Sequence, residues 1–228
     1  MNIKAVIPAY NEERSIGKVI NNIPKNVVSE IIVVNNNSTD ETGIHARKAG
    51  ATVLIEITKG YGASCLKGIE YLKQNKCDIV IFLDGDYSDF PEEVPLLLDP
   101  IIKDNYDFIL GSRVLGKREK GSLPFQSRVG SKLSCFLMKL FWKVKYTDLG
   151  PFRAIKFDKL IELNMDDKWY GWTVEMQIRA AKKKLKILEV PVSYRRRIGK
   201  SKVTGTFKGT FMASVIILKT IFAELFKD

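Results

Sequence analysis

The sequence predicts an α/β fold in which a mostly parallel central sheet is flanked by helices on both faces. Short, nearly continuous apolar runs alternate with helical patterns through the first half of the chain, as in parallel strands buried on both sides. With 45% hydrophobic residues among 228, the chain has enough apolar material for one α/β core and too much for wholesale disorder. No internal repeat or low-complexity tract breaks the pattern.

In chain order, Ile3–Ile7, Glu30–Val34, Thr52–Ile57, Ile79–Leu83 and Phe108–Leu110 read as strands. Glu12–Asn22, Asp40–Ala49, Gly62–Gln74 and Pro91–Ile102 read as the helices between them. The alternation then changes. Leu115–Phe125, rich in Gly, Lys and Arg, reads as a mobile loop. Ser127–Trp142 reads as a helix, Asp148–Phe152 as a Gly-Pro turn, Trp172–Lys184 as a helix and Ile187–Tyr194 as a strand. Residues 1–205 are expected to form one domain, with 206–228 a C-terminal helix. Within Phe207–Phe226 the charges of Lys208, Lys219 and Glu224 leave too short an apolar run for the roughly 20 residues that cross a bilayer. That helix either lies at a membrane interface or packs on the domain.

Charge and rare residues narrow the chemistry. The net charge of +11, from 37 basic and 26 acidic residues, points to a polyanionic partner: nucleic acid, anionic lipid or a phosphorylated small molecule. Cys65, Cys77 and Cys135 show no CxxC spacing and suit a reduced compartment. His45 is the only histidine, which excludes multi-histidine metal sites and leaves carboxylates, cations and backbone donors to do the chemistry. The chain enters a strand at Ile3 with no signal-peptide pattern, so the cytoplasm is the expected compartment.

In such a sheet, ligands bind beyond the carboxyl ends of the strands. Asp84-Gly85-Asp86 follows the most apolar strand, and two carboxylates one residue apart suit Mg²⁺ or Mn²⁺, which prefer carboxylate, phosphate and water oxygens. The first strand ends in Pro8-Ala9-Tyr10-Asn11-Glu12, an aromatic face beside a carboxylate. The second ends in the amides Asn35-Asn36-Asn37, able to bond a base or ribose. Gly60 and Gly62 permit close backbone approach to a ligand. Arg195-Arg196-Arg197, with Lys200 and Lys202, forms a cationic loop whose arginine forks match phosphate oxygens, and Arg113 and Arg128 add charge. A nucleic-acid partner is not expected, because Asp84 and Asp86 would repel a phosphate backbone.

Pro8-Ala9-Tyr10-Asn11-Glu12, the run Ser38-Thr39-Asp40-Glu41-Thr42, Asp84-Gly85-Asp86 and Gly111-Ser112-Arg113 together resemble family 2 glycosyltransferases of the GT-A fold. Asp148 through Phe152-Arg153, and Glu189-Val190-Pro191-Val192 through Gly199-Lys200-Ser201-Lys202, are similar to the polyprenyl-phosphate sugar synthases within that family. The resemblance implies that Pro8, Tyr10 and Glu12 line a nucleoside pocket with Asn36 near the base. It places Asp84 and Asp86 at the ribose and a divalent cation, with Ser112 and Arg113 near phosphates. The family usually carries aspartate at positions 35 and 36. Asp86, Arg113 and Glu175 are the candidate catalytic residues; Glu175 matches a carboxylate found in members that act on hydroxyls. The implied reaction is inverting transfer of a hexose from a UDP- or GDP-linked sugar to polyprenyl or dolichyl phosphate, by a protein peripheral to an anionic membrane on its cytoplasmic face. The alternative is a soluble transferase acting on a hydroxyl.

Overall fold

Strand β1 (Ile3–Ala9) sets the architecture. Its side chains alternate, so Ile3, Ala5, Ile7 and Ala9 join one apolar cluster while Val6 joins a second on the opposite face. The computed structural model describes residues 1–199 and 207–227, and both faces of its sheet are covered. One layer holds α1 (Ile16–Asn22), α2 (Thr42–Lys48) and α4 (Val94–Asp104). The other holds α3 (Tyr61–Gln74), α5 (Phe125–Trp142), α6 (Phe157–Glu162), α7 (Trp172–Lys182) and α8 (Phe207–Leu225).

The remaining strands are β2 (Glu30–Asn35), β3 (Thr52–Ile55), β4 (Ile79–Phe82), β5 (Phe108–Ser112), β6 (Arg153–Lys156) and β7 (Ile187–Pro191). They form one seven-stranded sheet in the order β3-β2-β1-β4-β6-β5-β7. All neighbours are parallel except where β6 inserts antiparallel between β4 and β5. The strand order reverses at β1, which is where an open α/β sheet leaves a crevice for ligands. Because β6 runs backwards, with Arg153 opposite Phe82, the segment before it arrives at the same edge as the carboxyl ends of β1 and β4.

Two expectations change. β6 and α6 have no counterpart in the sequence reading, and β3 stops at Ile55. The loop expected over Leu115–Phe125 ends before Phe125, which opens α5, and it is clasped: the Glu119 N–H donates to the Tyr194 carbonyl at 2.9 Å, and the Glu119 carboxylate accepts the Arg196 N–H at 2.8 Å. The C-terminal helix packs against α5 and α7. Glu224, which blurs its amphipathic pattern in sequence, is buried and bonds Arg179 at 2.9 Å and Lys182 at 3.3 Å.

Candidate active site

A cavity of about 790 Å³ opens at the carboxyl ends of β1, β2 and β4. Pro8, Ala9, Tyr10, Glu12, Asn36, Gly60, Asp84, Gly85, Asp86, Arg113 and Arg197 line it. Lys59, Trp169, Tyr170 and Arg196 also reach the wall, as do the first turns of α5 and the N-terminal half of α8.

The acidic floor lies on the turn after β4. One oxygen of Asp84, Oδ1, is buried without a hydrogen-bond partner among the described residues. Burial pushes the Asp84 carboxyl upward, against the charges of Arg197 and Arg113. Asp89 behind it accepts the Asp84 N–H at 3.3 Å through Oδ2, and its Oδ1 is likewise buried without a partner among the described residues. Burial and the neighbouring Asp84 push Asp89 to about 7. Asp86 is fully engaged: Oδ1 accepts the Ser88 N–H at 2.8 Å and the Ser88 hydroxyl at 2.5 Å, and Oδ2 accepts the Arg197 guanidinium. Anionic oxygens at a cavity floor, one orphaned and one already holding a cationic group, are a donor set that fits a hard divalent cation.

The basic segment after β7 is extended, and its alternation assigns the arginines. Arg195 and Arg197 turn toward the 84–90 turn, and Arg196 turns the other way, donating to the Lys120 carbonyl at 2.7 Å. Arg195 does not line the cavity. It lies against the rings of Tyr87 and Phe90 at 3.5 and 4.0 Å and donates to the carbonyls of Tyr87 and Asp89 at 2.7 and 3.0 Å. In this arrangement it clamps the acidic turn. Among the described residues of the run, Arg196 and Arg197 reach the cavity; Lys200 and Lys202 fall outside the described residues.

Arg113 is fixed from beneath. Its Nε and Nη2 donate to the two oxygens of Asp148 at 2.7 and 2.8 Å, and its backbone N–H to Oδ2 at 3.0 Å. The guanidinium also lies 5.0 Å from the Tyr194 ring centre. Burial raises the Asp148 carboxyl, but the charge and bonds of Arg113 outweigh it and hold the group below its ordinary value. Glu189 of β7 in turn accepts the N–H groups of Thr147 and Asp148 at 2.9 and 3.3 Å. Ser112 is buried and bonds Thr147 at 2.6 Å, bracing this turn rather than lining the cavity.

Other expected site residues have different work. Asn36 lines the wall, yet its amide is spent on the loop before α3: it donates to the carbonyls of Glu56 and Thr58 at 3.0 and 2.7 Å and accepts the Gly60 N–H at 2.9 Å. Gly60 and Gly62 do permit a close approach, but by the chain itself. A Cβ at either would sit about 2 Å from the carbonyl oxygens of Lys168 and Asp167, at 2.1 and 2.0 Å. Arg128 is exposed on α5 and does not line the cavity, because the helix turns Gln126, Ser127, Gly130 and Ser131 to it instead.

Glu175 is also off the cavity wall. Buried under the 166–167 turn, it accepts the Asp167 N–H at 3.1 Å and pairs with Arg179 at 2.8 Å. Burial and the nearby Asp166 push it to about 8, so it is mostly protonated at neutral pH and glutamine is its close mimic. Loss of a general base costs about 10²- to 10⁴-fold in rate; Glu175→Gln is expected to keep turnover within a factor of about three. The same variant tests the titration. A raised folded pKa makes stability fall as pH climbs from 4.5 toward 8, so the wild type's Tm should drop relative to the variant's across that window. A parallel pH dependence of the two would refute the assignment.

Taken together, the sheet order, the antiparallel insertion and the acidic turn after β4 define the nucleotide-diphosphosugar transferase class, the GT-A fold. The chain belongs to glycosyl transferase family 2, whose model matches residues 4–163. It is 31% identical over 222 residues to an uncharacterized glycosyltransferase of Mycobacterium tuberculosis, covering 96% of this chain and 97% of the relative. It is 28% identical over 230 residues to the undecaprenyl-phosphate mannosyltransferase of Micrococcus luteus, covering 94% and 93%. Among solved structures, glucosyl-3-phosphoglycerate synthase from Mycobacterium tuberculosis, crystallised with Mn²⁺, uridine diphosphate and glucosyl-3-phosphoglycerate, superposes with a TM-score of 0.76 at 22% identity, covering 98% of this chain and 80% of that one.

Proposed function

We propose that this glycosyltransferase moves a hexose from a UDP- or GDP-linked sugar to a polyprenyl or dolichyl phosphate, with inversion, while attached peripherally to the cytoplasmic face of an anionic membrane. The observation that carries the reading is the pairing, across one cavity, of the acidic floor at Asp84 and Asp86 with the cations Arg113, Arg196 and Arg197. Among the described residues, the only carboxylates on the wall are Glu12, Asp84 and Asp86. Glu12 accepts the Ser15 hydroxyl at 3.0 Å, and the two aspartates form the floor, so no separate base stands ready. An acceptor phosphate is already anionic and needs none. Relatives of this chain include a transferase named for undecaprenyl phosphate. No helix among the described residues is long and apolar enough to cross a membrane.

Asp84 and Asp86 would hold Mg²⁺ or Mn²⁺, which when bound neutralises charge on a departing diphosphate. Pro8, Ala9, Tyr10 and Glu12 would flank the nucleoside, and Gly85 keeps the turn free of a side chain there. Arg113, fixed by Asp148, presents a prepositioned cation to phosphate oxygens, and most of the rate would come from such orientation and charge. A second reading, a small phosphorylated acid as acceptor, is favoured by the same cationic wall and by the fold likeness to the phosphoglycerate enzyme. Labelled nucleotide sugars incubated with polyprenyl phosphate or with 3-phosphoglycerate separate the two: label entering the organic phase only with the lipid is expected, and label confined to a water-soluble product would refute the proposal.

Arg197 occupies Asp86 in the present arrangement, so it competes with any metal for that oxygen. Arg197→Ala is expected to lower the Kd for Mn²⁺ in nucleotide-free protein roughly tenfold, a change of about 1.4 kcal/mol, as read by paramagnetic resonance of the unbound ion. Unchanged Mn²⁺ affinity would show that the two cations do not share a seat.

A further inference from the structure

Helix α5 carries an apolar stripe that the rest of the chain leaves uncovered. Phe125, Val129, Leu133, Phe136 and Leu140 recur at helical spacing along one side and all are exposed, Phe125 to 75% and Phe136 to 60%. The opposite side is committed inward through Ser131, Ser134, Cys135 and Met138. Beside the stripe runs a second row, Arg128, Lys132, Lys139 and Lys143, all exposed, and α5 contains no acidic residue. Helix α8 extends the surface. Its Met212, Val215 and Phe222 are exposed with Lys219, and the Phe222 ring meets Phe141 of α5 at 6.1 Å. The one acid of α8 in the described residues, Glu224, is buried and paired.

We infer that the outer faces of α5 and α8 are a docking surface for an anionic lipid bilayer, laid so that the cavity opens toward the lipid. An apolar stripe bordered by cations, with no exposed acid on either helix, is complementary to acyl chains flanked by anionic headgroups. A second copy of the chain would bring the same cations to the same face and be repelled. The position matches an acceptor delivered from the membrane. The first turns of α5 and the N-terminal half of α8 line the cavity wall through Ser127, Gly130, Ala213 and Ile217, so the apolar surface begins at the cavity's rim. The inference rests on the lipid-phosphate acceptor proposed above and assigns the face that would meet it.

The test is co-sedimentation of the full chain with vesicles of phosphatidylcholine alone or with one-third phosphatidylglycerol, at low and high salt. Binding to the anionic vesicles at low salt is expected, weakened by salt. The double variant Phe136→Ser/Leu140→Ser should bind roughly tenfold more weakly, and Lys132→Glu/Lys139→Glu should lose the preference for anionic lipid. Both alter exposed side chains, and thermal melts confirm that they fold. Protein that stays in the supernatant, or binding that neither variant weakens, overturns the inference. So does a dimer in sedimentation velocity that Phe136→Ser/Leu140→Ser dissociates. Transfer to a short water-soluble prenyl phosphate, without vesicles, keeps the two proposals apart. Such transfer without vesicle binding sinks the docking face alone; stripe-dependent vesicle binding without transfer to any prenyl phosphate supports the face and sinks the acceptor.

Discussion

Asp84→Asn is expected to abolish transfer, by a factor of about 10³ or more, while leaving the protein as stable as before or more so. Folding has stripped the Asp84 Oδ1 of water without supplying it a partner among the described residues. A buried polar group left unsatisfied costs about 1–3 kcal/mol, more when charged, and sites that accept such a cost are concentrated where ligands bind. Asparagine keeps the shape and removes the charge, so the fold loses nothing and the cavity loses its anionic floor. Residue 84 would then hold a divalent cation less well against a departing diphosphate, and removal of one preorganised electrostatic contact is worth roughly 10²- to 10³-fold by itself. Two measurements distinguish this from general damage. The Tm of the unliganded variant should equal or exceed that of the wild type, and the added stabilisation by Mn²⁺ with uridine or guanosine diphosphate should vanish. A variant that melts early would make Asp84 a structural residue instead.

How much of this was legible beforehand depended on whether a residue's partners lay close in sequence. The first four parallel strands are legible because each is an apolar run bounded by polar residues, and Asp84-Gly85-Asp86 stands out because it follows the most apolar of them. β6 did not. It is four residues, Arg-Ala-Ile-Lys, with a charge at each end, and only the slot between β4 and β5 makes it a strand. Arg153 is buried there, donating to the carbonyls of Gly150 and Thr173, a fate that no local pattern announces for an arginine. Family likeness points to Glu175, and charge and position point to Arg195, yet their partners, the 166–167 turn and the Tyr87–Phe90 turn, come from distant segments. The alternation of Arg195, Arg196 and Arg197 was a usable signal: in an extended segment, neighbours cannot all face one ligand. The sequence reading of Ser127–Trp142 as a helix does not single out the stripe on α5, because its exposure depends on which face the tertiary packing covers.

The buried pair of Arg113 and Asp148 should give the largest stability effect in the molecule. Either partner removed alone leaves an uncompensated buried charge, and breaking such a pair costs about 3–5 kcal/mol; Arg113→Ala and Asp148→Ala are each expected to lower stability by that amount in denaturant titration. Replacing both together with Met and Leu should recover much of the loss, since the desolvation of two ions is relieved at once. Acid reports the same pair. The Asp148 carboxyl is held below its ordinary 3.8, so its contribution is complete above that pH and fades as pH falls through the lowered value; the Met/Leu double variant should lack this step. Activity separates anchoring from catalysis. The apolar double variant should fold yet transfer no sugar, because Arg113 has lost both its charge and the carboxylate that aims it at the cavity. Wild-type turnover in that variant would show that the pair serves only the fold.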